Sequence, residues 1–570
     1  MIINKIKKLR YFLKLKNLDG YIVPKNDQFF SEYAYPNRLK EISNFTGSAG
    51  LAVILKDKNF LFVDGRYTLQ AKIEAGKNFH IYEIPKFMPF QILKKNKKLS
   101  LGFDPKLFTN SSIEKNFKDS CDLFPLNQNL IDELKSINLN KYENKIFYQL
   151  KNKFAGETIN SKINRLILNL NKQKIDNIFI SAPENVAWLL NLRGKDNPHS
   201  PIPNCQIILT KSKKIYFFSS KDKIKQIKRF KPYTNFNFFN FNDFISIVYK
   251  LSGKYFCIDK STCSIFYESI IKSKFGIKSF NDPCYAMKAI KNKTEIKSMI
   301  KTHVIDGAAL TKFIYWMKNH KNYNLTEIDA EKKLEKLRKK NKNYLYPSFN
   351  TIAGSGPNSA IIHYRANEIS NRKIKKNDIF LCDSGGQYKY GTTDVTRTLC
   401  FSKTSKKIKD IFTRVLKGHI AVFHTDLNKT NIGRDIDKKA RHYLNKINLD
   451  YGHGTGHGVG FFLNVHEGPQ AISKYNSVPL KIGMILSNEP GYYKENKFGI
   501  RIENLVFVKK IKKNFAFENL TLAPIDTDLI DFNLLNKKEK NYLFKYHLEV
   551  YSKIHKYLNY KERKWLLNLI

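Results

Sequence analysis

Four acids and three histidines in the C-terminal half of the sequence have the types and spacing to do chemistry. "DIFLCDSGGQYKYGTTDVTRTLCF" (378–401) reads as a strand ending at Asp383, a Gly-containing turn and a strand through Asp394. Their separation across the turn can bring both carboxylates to one face of a hairpin. "LSNEPGYYKENKFGIRIENLVFV" (486–508) repeats the pattern with Glu489 and Glu503. A buried carboxylate without a partner is costly and takes up a proton, so four acids on core strands require basic partners or metal. "DYGHGTGHGVGFFLNVHEGP" (450–469) supplies imidazoles at His453, His457 and His466. Its glycines at 454, 456 and 458, and the lack of a Glu between the histidines, separate it from the helical H-E-x-x-H zinc motif. An extended Gly-rich strand lets a neighbour approach closely and can turn His453 and His457 the same way. Four carboxylates with one or two imidazoles form a hard, oxygen-rich site suited to Mn²⁺, with Fe²⁺ or Co²⁺ compatible, rather than to a structural Zn²⁺. Two divalent ions balance four carboxylates, and a bridging hydroxide would leave one excess negative charge. Such pairs make a nucleophile from water and clamp an oxyanion. The glycines are expected to keep bulk away from the ions, and His466, at a strand end before a turn, to line a pocket. Glu467 falls on the other side of the pleat and is expected to take no part.

The elements that must position these residues follow from length and periodicity. A chain of 570 residues is too long for one core. Residues 1–20 read as an amphipathic helix leading into the strand "DGYIVP", followed by "GLAVILK", "NFLFVDGRY", a helical "TLQAKIEAG" and the strand "FHIYEI". The order then returns at 162–220: helix, strand "NIFIS", helix, and the hairpin "CQIILTKSKKIYFFSS". "DGYIV" at 19–23 and "DNIFI" at 176–180 occupy equivalent places, as do "FLFVD" at 60–64 and "IYFFS" at 215–219, and a duplicated α/β domain is the simplest account. The third unit should open near 291 with Thr294 as N-cap and Ile296, Met299, Ile300, Val304 and Ala308 on one buried helical face. The tail from 509 reads as helices. The expected domains are therefore 1–155, 156–290, 291–508 and 509–570.

Composition narrows the function class. Lys+Arg is 100 against Asp+Glu 50, a formal net charge of +50. A polyanion partner is the usual implication. Here the lysines are spread along the chain with many Asn and Ile, as codon bias would produce, and no nucleic-acid motif accompanies them, so nucleic-acid binding is not expected as the main role. Seven cysteines form no C-x-x-C pair and read as reduced thiols. No apolar signal-peptide core and no 18-residue apolar run occur, so no membrane partner is expected and the cytoplasm is the expected compartment.

These phrases together resemble the Xaa-Pro aminopeptidases of the pita-bread metallopeptidase class, over essentially the whole chain. "IIHYRAN", "LCDSGGQYKYGTTDVTRT", "GHGTGHGVGFFLNVHEGP" and "SNEPGYYKENKFGIRIEN" look like the family's metal and substrate motifs, in order. "RLKEISNFTGSAG" with "DGRY", and "NVAWLLNLRGKDNPHSPI", resemble its first and second domains, and "FENLTLAPIDTDLI" with the helical tail resembles the extension of its long, three-domain members. The resemblance implies two related creatinase-like α/β domains, a pita-bread catalytic domain and a helical extension. It implies Asp383, Asp394, His457, Glu489 and Glu503 as ligands of two divalent ions, with Asp394 and Glu503 bridging, Asp383 on one ion, and His457 and Glu489 on the other. His363, His453 and His466 would bind substrate and steady the developing oxyanion, with Arg501 beside Glu503. Arg66 matches an N-domain arginine that contacts peptide in related enzymes, in some of them across a dimer, and a homodimer is expected. The implied reaction is hydrolysis of the bond between an N-terminal residue and a following proline by a metal-bridging hydroxide, with Glu489 passing the proton to the leaving nitrogen. Two other readings remain: a prolidase-like dipeptidase, and a non-catalytic pita-bread module that binds nucleic acid through its charge.

Overall fold

A computed structural model describes residues 2–33, 35–94, 98–134, 147–227, 235–320 and 324–570. The chain forms two compact units, one of residues 1–152 and 157–285, the other of 153–156 and 286–570.

The first unit holds two six-stranded sheets of the same topology. One runs His80–Ile84, Asn59–Asp64, Leu51–Leu55, Gly20–Pro24, Leu99–Phe103, Cys121–Pro125. The other runs Phe236–Phe239, Ile215–Phe218, Gln206–Thr210, Asn177–Ile180, Tyr255–Ile258, Gly276–Ser279. In both, the second strand from each edge pairs parallel with that edge, and an antiparallel meander joins the middle. The matched segments read from the sequence are equivalent strands of the two sheets. A detail repeats as well. Asp19 accepts from Ser100 N and is paired with Lys56, while Asp176 accepts from Tyr255 N and is paired with Lys211. Both faces of the first sheet are covered by packing: Leu61 and Val63 enter one core cluster, and Phe60 and Phe62 another.

The second unit opens with the 27-residue helix Lys293–Asn319. Its N-cap is Asn292 rather than Thr294: Asn292 Oδ1 accepts from Thr294 N and Glu295 N, and Glu295 returns a bond to Asn292 N. This is the reciprocal box that a Glu three residues past the cap permits. The buried face is also turned from the expected one. Ile300 is 39% exposed, while Thr302, His303 and Asp306 are buried. Polarity misled the reading, because Asp306 is satisfied inside by Arg338 Nε at 2.7 Å and by the Tyr388 hydroxyl at 2.7 Å.

Two helices and a block of short strands then follow twice: Lys293–Asn319 and Glu327–Lys339 before the strands from Tyr344 to Cys400, and Lys406–Phe423 and Gly433–Asn445 before those from Gly456 to Asn519. The tail is helical at Lys537–Ile554 and Tyr560–Leu567. Its first part is instead a strand, Asn514–Asn519, hydrogen-bonded to Asn504–Ile511. The alternating "NFAFEN" and the lysine-rich turn before it favour a hairpin. The tail's helices pack Tyr542, Leu543, Tyr546 and Val550 into one core with Ile411, Val415 and Leu416 of the Lys406–Phe423 helix. All seven cysteines are buried and outside any disulfide, and among the described residues no helix is long and apolar enough to cross a membrane.

Candidate metal centre

The acids sit where strands begin or end, which lets carboxylates from different strands meet. Ile379–Ser384 pairs antiparallel with Val395–Cys400, setting Asp383 opposite Thr396 and leaving Asp394 one residue before its strand rather than within it. Ile485–Asn488 pairs with Asn504–Ile511 through Asn488 opposite Asn504, so Glu489 and Glu503 flank the last pair. Two backbone bonds join the blocks: Glu503 N to Thr396 O at 3.2 Å and Glu489 N to Thr455 O at 2.8 Å. The second places Glu489 beside His457, which lies on the short strand Gly456–Gly458.

The glycines around His457 allow the close approach of a neighbouring backbone that a Gly-rich strand was expected to permit. A Cβ on Gly456 would lie 2.0 Å from Ser487 O, and one on Gly458 2.3 Å from Glu467 O. Any side chain there would push apart the strands that carry Glu489 and His457.

Ligand-type atoms converge. Those of Asp383, Asp394 and Glu503 lie within 4.8 Å of one another, as do those of His457, Glu489 and Glu503, and those of Asp394, His457 and His466. His457 Nε2 is 3.4 Å from Asp394 Oδ2 and 3.5 Å from Glu489 Oε1. Its Nδ1 faces Gly458 O at 2.9 Å, which leaves Nε2 as the acceptor nitrogen in the neutral ring. The His466 ring meets the His457 ring edge-on at 4.3 Å, so the structure brings His466 closer to the acids than a pocket-lining role alone requires.

Electrostatics mark the cluster as short of positive charge. Burial, followed by the neighbouring acids outweighed in part by Arg501, pushes Asp383 up to about 7. Burial and like charges raise Glu503 well above the carboxylate range, and burial raises Glu489. Asp394 and Glu489 lift the His457 imidazole to about 9 against its own burial. Asp383 Oδ1 is buried and has no hydrogen-bond partner. An orphaned carboxylate oxygen within a ring of oxygens and one imidazole nitrogen fits divalent cations of the Mn²⁺ type.

One network beside the acids was not foreseen. Arg501 Nη2 donates to Asp383 Oδ2 at 2.6 Å, Nε to Thr396 Oγ1 at 3.0 Å, and Nη1 to the Tyr493 hydroxyl at 2.6 Å. Thr396 Oγ1 in turn donates to Glu503 Oε2 at 2.7 Å. The Tyr493 hydroxyl lies 2.9 Å from His453 Nε2, and His453 Nδ1 lies 2.8 Å from Gly454 O. A carbonyl cannot donate, so Nδ1 carries the proton of the neutral ring and Tyr493 donates to Nε2. Both His453 nitrogens are engaged in this arrangement. The signal for Tyr493 was present in "PGYYKENKFGIR". Gly491 pairs with Arg501 and Gly499 with Tyr493 across the hairpin, and a Cβ on either glycine would crowd the tyrosine, at 2.8 Å from its hydroxyl or 3.0 Å from its ring.

Glu467 also proves to be structured. It is clamped by Lys288 Nζ at 3.2 Å and by Lys291, all three side chains buried, and it follows His466 directly. Its burial between two lysines was not expected. His363 is half-buried in the turn after the short helix Gly356–Ala360. Arg66 belongs to the first unit, where Asp64 holds its guanidinium through Nε at 2.9 Å and Nη2 at 2.8 Å and Tyr67 lies beneath it.

Comparison with known proteins agrees with this centre. The profile of metallopeptidase family M24 matches residues 297–510, and that of the C-terminal region of peptidase M24 matches 513–569. Creatinase/prolidase N-terminal domain profiles match 5–136 and 138–295. The chain is 37% identical to a probable Xaa-Pro aminopeptidase P of Laccaria bicolor, over 96% of this chain and 90% of that one. It is 36% identical to Xaa-Pro aminopeptidase 1 of Dictyostelium discoideum, over 100% and 96%. The fold matches a crystal structure of X-prolyl aminopeptidase from Caenorhabditis elegans, described as a cytosolic enzyme with a di-nuclear active site, with a TM-score of 0.93, 30% identity and coverage of 100% and 99%. A prolidase from Pyrococcus furiosus matches 62% of this chain and 98% of its own length with a TM-score of 0.50 and 25% identity. Two creatinase-type α/β domains, a pita-bread domain with an acid-rich centre and the matching C-terminal region place this chain in the Xaa-Pro aminopeptidase P family of M24 metallopeptidases.

Proposed function

We propose that this protein removes the N-terminal residue from peptides with proline in second place, using two divalent ions, Mn²⁺ by preference, held by Asp383, Asp394, His457, Glu489 and Glu503. The observation that carries the reading is that these five side chains fall into overlapping close groups, with the buried Asp383 Oδ1 left unpartnered. Asp394 and Glu503 are grouped with Asp383 and, in separate groups, with His457, which supports roles on both ions. When bound, the ions supply water activated for attack and a Lewis acid for the scissile carbonyl.

The chain's own groups do the rest. Ser487 Oγ donates to Glu489 Oε1 at 3.0 Å and fixes that carboxylate. Glu489 takes the proton of the attacking water and delivers it to the proline nitrogen. That nitrogen belongs to a tertiary amide with no N–H, so it needs a proton to leave and offers none to the site. His363 and His466 bind the substrate and donate to the carbonyl oxygen as its charge grows. His453 joins them only on releasing Tyr493. Arg501 favours the ionised form of Asp383 against its burial, and Arg66 contributes to peptide binding. The homodimer, the Mn²⁺ preference and a cytoplasmic location belong to this proposal, and the C. elegans relative supports the last of them.

The test is hydrolysis of an Xaa-Pro-Yaa tripeptide against an Xaa-Pro dipeptide, after chelation and after return of Mn²⁺. Tripeptide cleavage lost with chelator and restored by Mn²⁺ is expected. Cleavage confined to the dipeptide would make the protein a prolidase. Cleavage of neither, with salt-sensitive binding to nucleic acid, would make it a binding module.

A further inference from the structure

We infer that Glu327 is a positioning residue for His363, acting through Tyr364; the inference rests on the role given above to His363. Glu327 is the first residue of the helix Glu327–Lys339 and is fully buried. Its carboxylate gathers an entire loop. Oε1 accepts from Ser355 N at 2.7 Å, where the loop begins. Oε2 accepts from Arg372 N at 2.9 Å, where it ends. Asn358 Nδ2 donates to both oxygens, at 3.2 and 3.0 Å, and the Tyr364 hydroxyl donates to Oε2 at 2.7 Å. The Glu327 N–H closes the ring on Arg372 O at 3.0 Å. Among the described residues no lysine or arginine side chain forms an ion pair with it. The carboxylate is held by hydrogen-bond donors alone, and each of them lies between Ser355 and Arg372.

His363 stands inside this loop, next to Tyr364. The Tyr364 side chain is fixed at both ends. Its hydroxyl accepts from Asn358 Nδ2 at 2.8 Å while it donates to Glu327. Its ring packs on Ile352 and Leu381, with Tyr493 against the same cluster. Ile352 lies opposite Asp383 across the strand pair. The loop is thus pinned on one side by a carboxylate remote from the ligands and on the other against the strand that carries Asp383. Gly499 reinforces the arrangement: its N–H donates to Ser359 Oγ at 2.7 Å, and a Cβ there would lie 1.9 Å from Ser359 O. A backbone fixed at residue 364 leaves residue 363 little freedom, and small displacements of a group that binds a transition state are expensive. A solvent-facing loop would not need a buried acid with this many donors; a loop that must present one imidazole at a set distance does.

The experiment uses the full-length, Mn²⁺-loaded protein with Glu327→Gln, Tyr364→Phe and His363→Ala, alone and combined. The readouts are kcat and KM on a tripeptide, bound metal, and affinity for an uncleaved Xaa-Pro analogue. Gln places an N–H₂ among donors, and Phe removes one bond while keeping the ring. We expect kcat to fall roughly tenfold or more in Glu327→Gln and severalfold in Tyr364→Phe, with bound metal unchanged, as for a displaced catalytic group. In the His363→Ala background the same changes should cost less than about twofold, since coupled sites are not additive. Equal losses with and without His363, loss of metal, or full activity in both variants would overturn the inference while leaving the role of His363 standing. Full activity of His363→Ala would overturn that role and the inference with it. Should Glu327→Gln fail to fold, Tyr364→Phe carries the same comparison.

Discussion

Arg501 donates to Asp383 Oδ2 at 2.6 Å, setting a guanidinium that is 1% exposed against one of four crowded acids. The pair is buried and hydrogen-bonded, so removing one side strands the other. Arg501→Met is expected to destabilise the metal-free protein by about 3–5 kcal/mol. Urea unfolding in chelator, compared with unfolding in Mn²⁺, measures this. A loss that is the same in both conditions would mean that Arg501 does not offset the charge of the acids.

The metal-free protein should become less stable as pH rises. Asp383 titrates near 7 in the folded chain against roughly 3.9 when unfolded, so its folded form binds the proton more tightly. The stability it contributes is full below the unfolded value and is lost as pH rises through about 7. His457, lifted to about 9, acts in the same sense over a higher window, from its unfolded value upward. Cations must displace these protons, so Mn²⁺ binding should release protons and tighten with pH. Calorimetry at pH 6 in two buffers of different ionisation enthalpy reads the release; no uptake by buffer would contradict it.

Tyr493→Phe removes the hydroxyl that joins Arg501 to His453 and keeps the ring in place. A fall in kcat of roughly tenfold is expected, in the range of a lost hydrogen bond to a charged partner, with bound metal unchanged. Retained activity would show that the link between the acids and His453 has no bearing on turnover.

Glu467 between Lys288 and Lys291 is a buried triad with one acid to two bases. Glu467→Gln should cost about 3–5 kcal/mol in urea unfolding, because it leaves two ammonium groups in a dry interior. The triple change Lys288→Met, Lys291→Met, Glu467→Leu should recover most of that loss. If Glu467→Gln is as stable as the parent, water must reach the lysines.

The sequence disclosed the catalytic half of this protein more readily than its supports. Asp383, Glu489 and Glu503 were legible because acids stand out against apolar strand patterns, and the stretch with His453 and His457 because glycines frame it; the family resemblance singled out His457. The two sheets were legible as a repeat because the central strands carry the same Asp-led apolar run. What escaped was polar burial satisfied at long range. Asp306 broke the expected helix face because its partner Arg338 lies in the next helix. Glu467 was set aside because its lysines lie far upstream, and Tyr493 because its meaning depends on the register of one hairpin. The glycines at 456 and 458 were read both as room for a close neighbour and as clearance for substrate; the close neighbours are present, and what nothing local reveals is that they are Ser487 and Glu467.

Arg397 follows Thr396, and its guanidinium is spent on main-chain oxygen atoms, on Asn504 Oδ1 and on Tyr546. Nη1 donates to Glu503 O at 2.6 Å, Nε to Pro524 O at 2.9 Å, and Nη2 to Ala523 O at 2.7 Å and to the Tyr546 hydroxyl at 2.9 Å. Glu503 is therefore braced, through Arg397, by Ala523, Pro524 and the helix that carries Tyr546. The helical extension is a buttress of the metal centre and not an appendage: removal of residues 537–570 should abolish tripeptide cleavage, and full cleavage by the shortened protein would refute this.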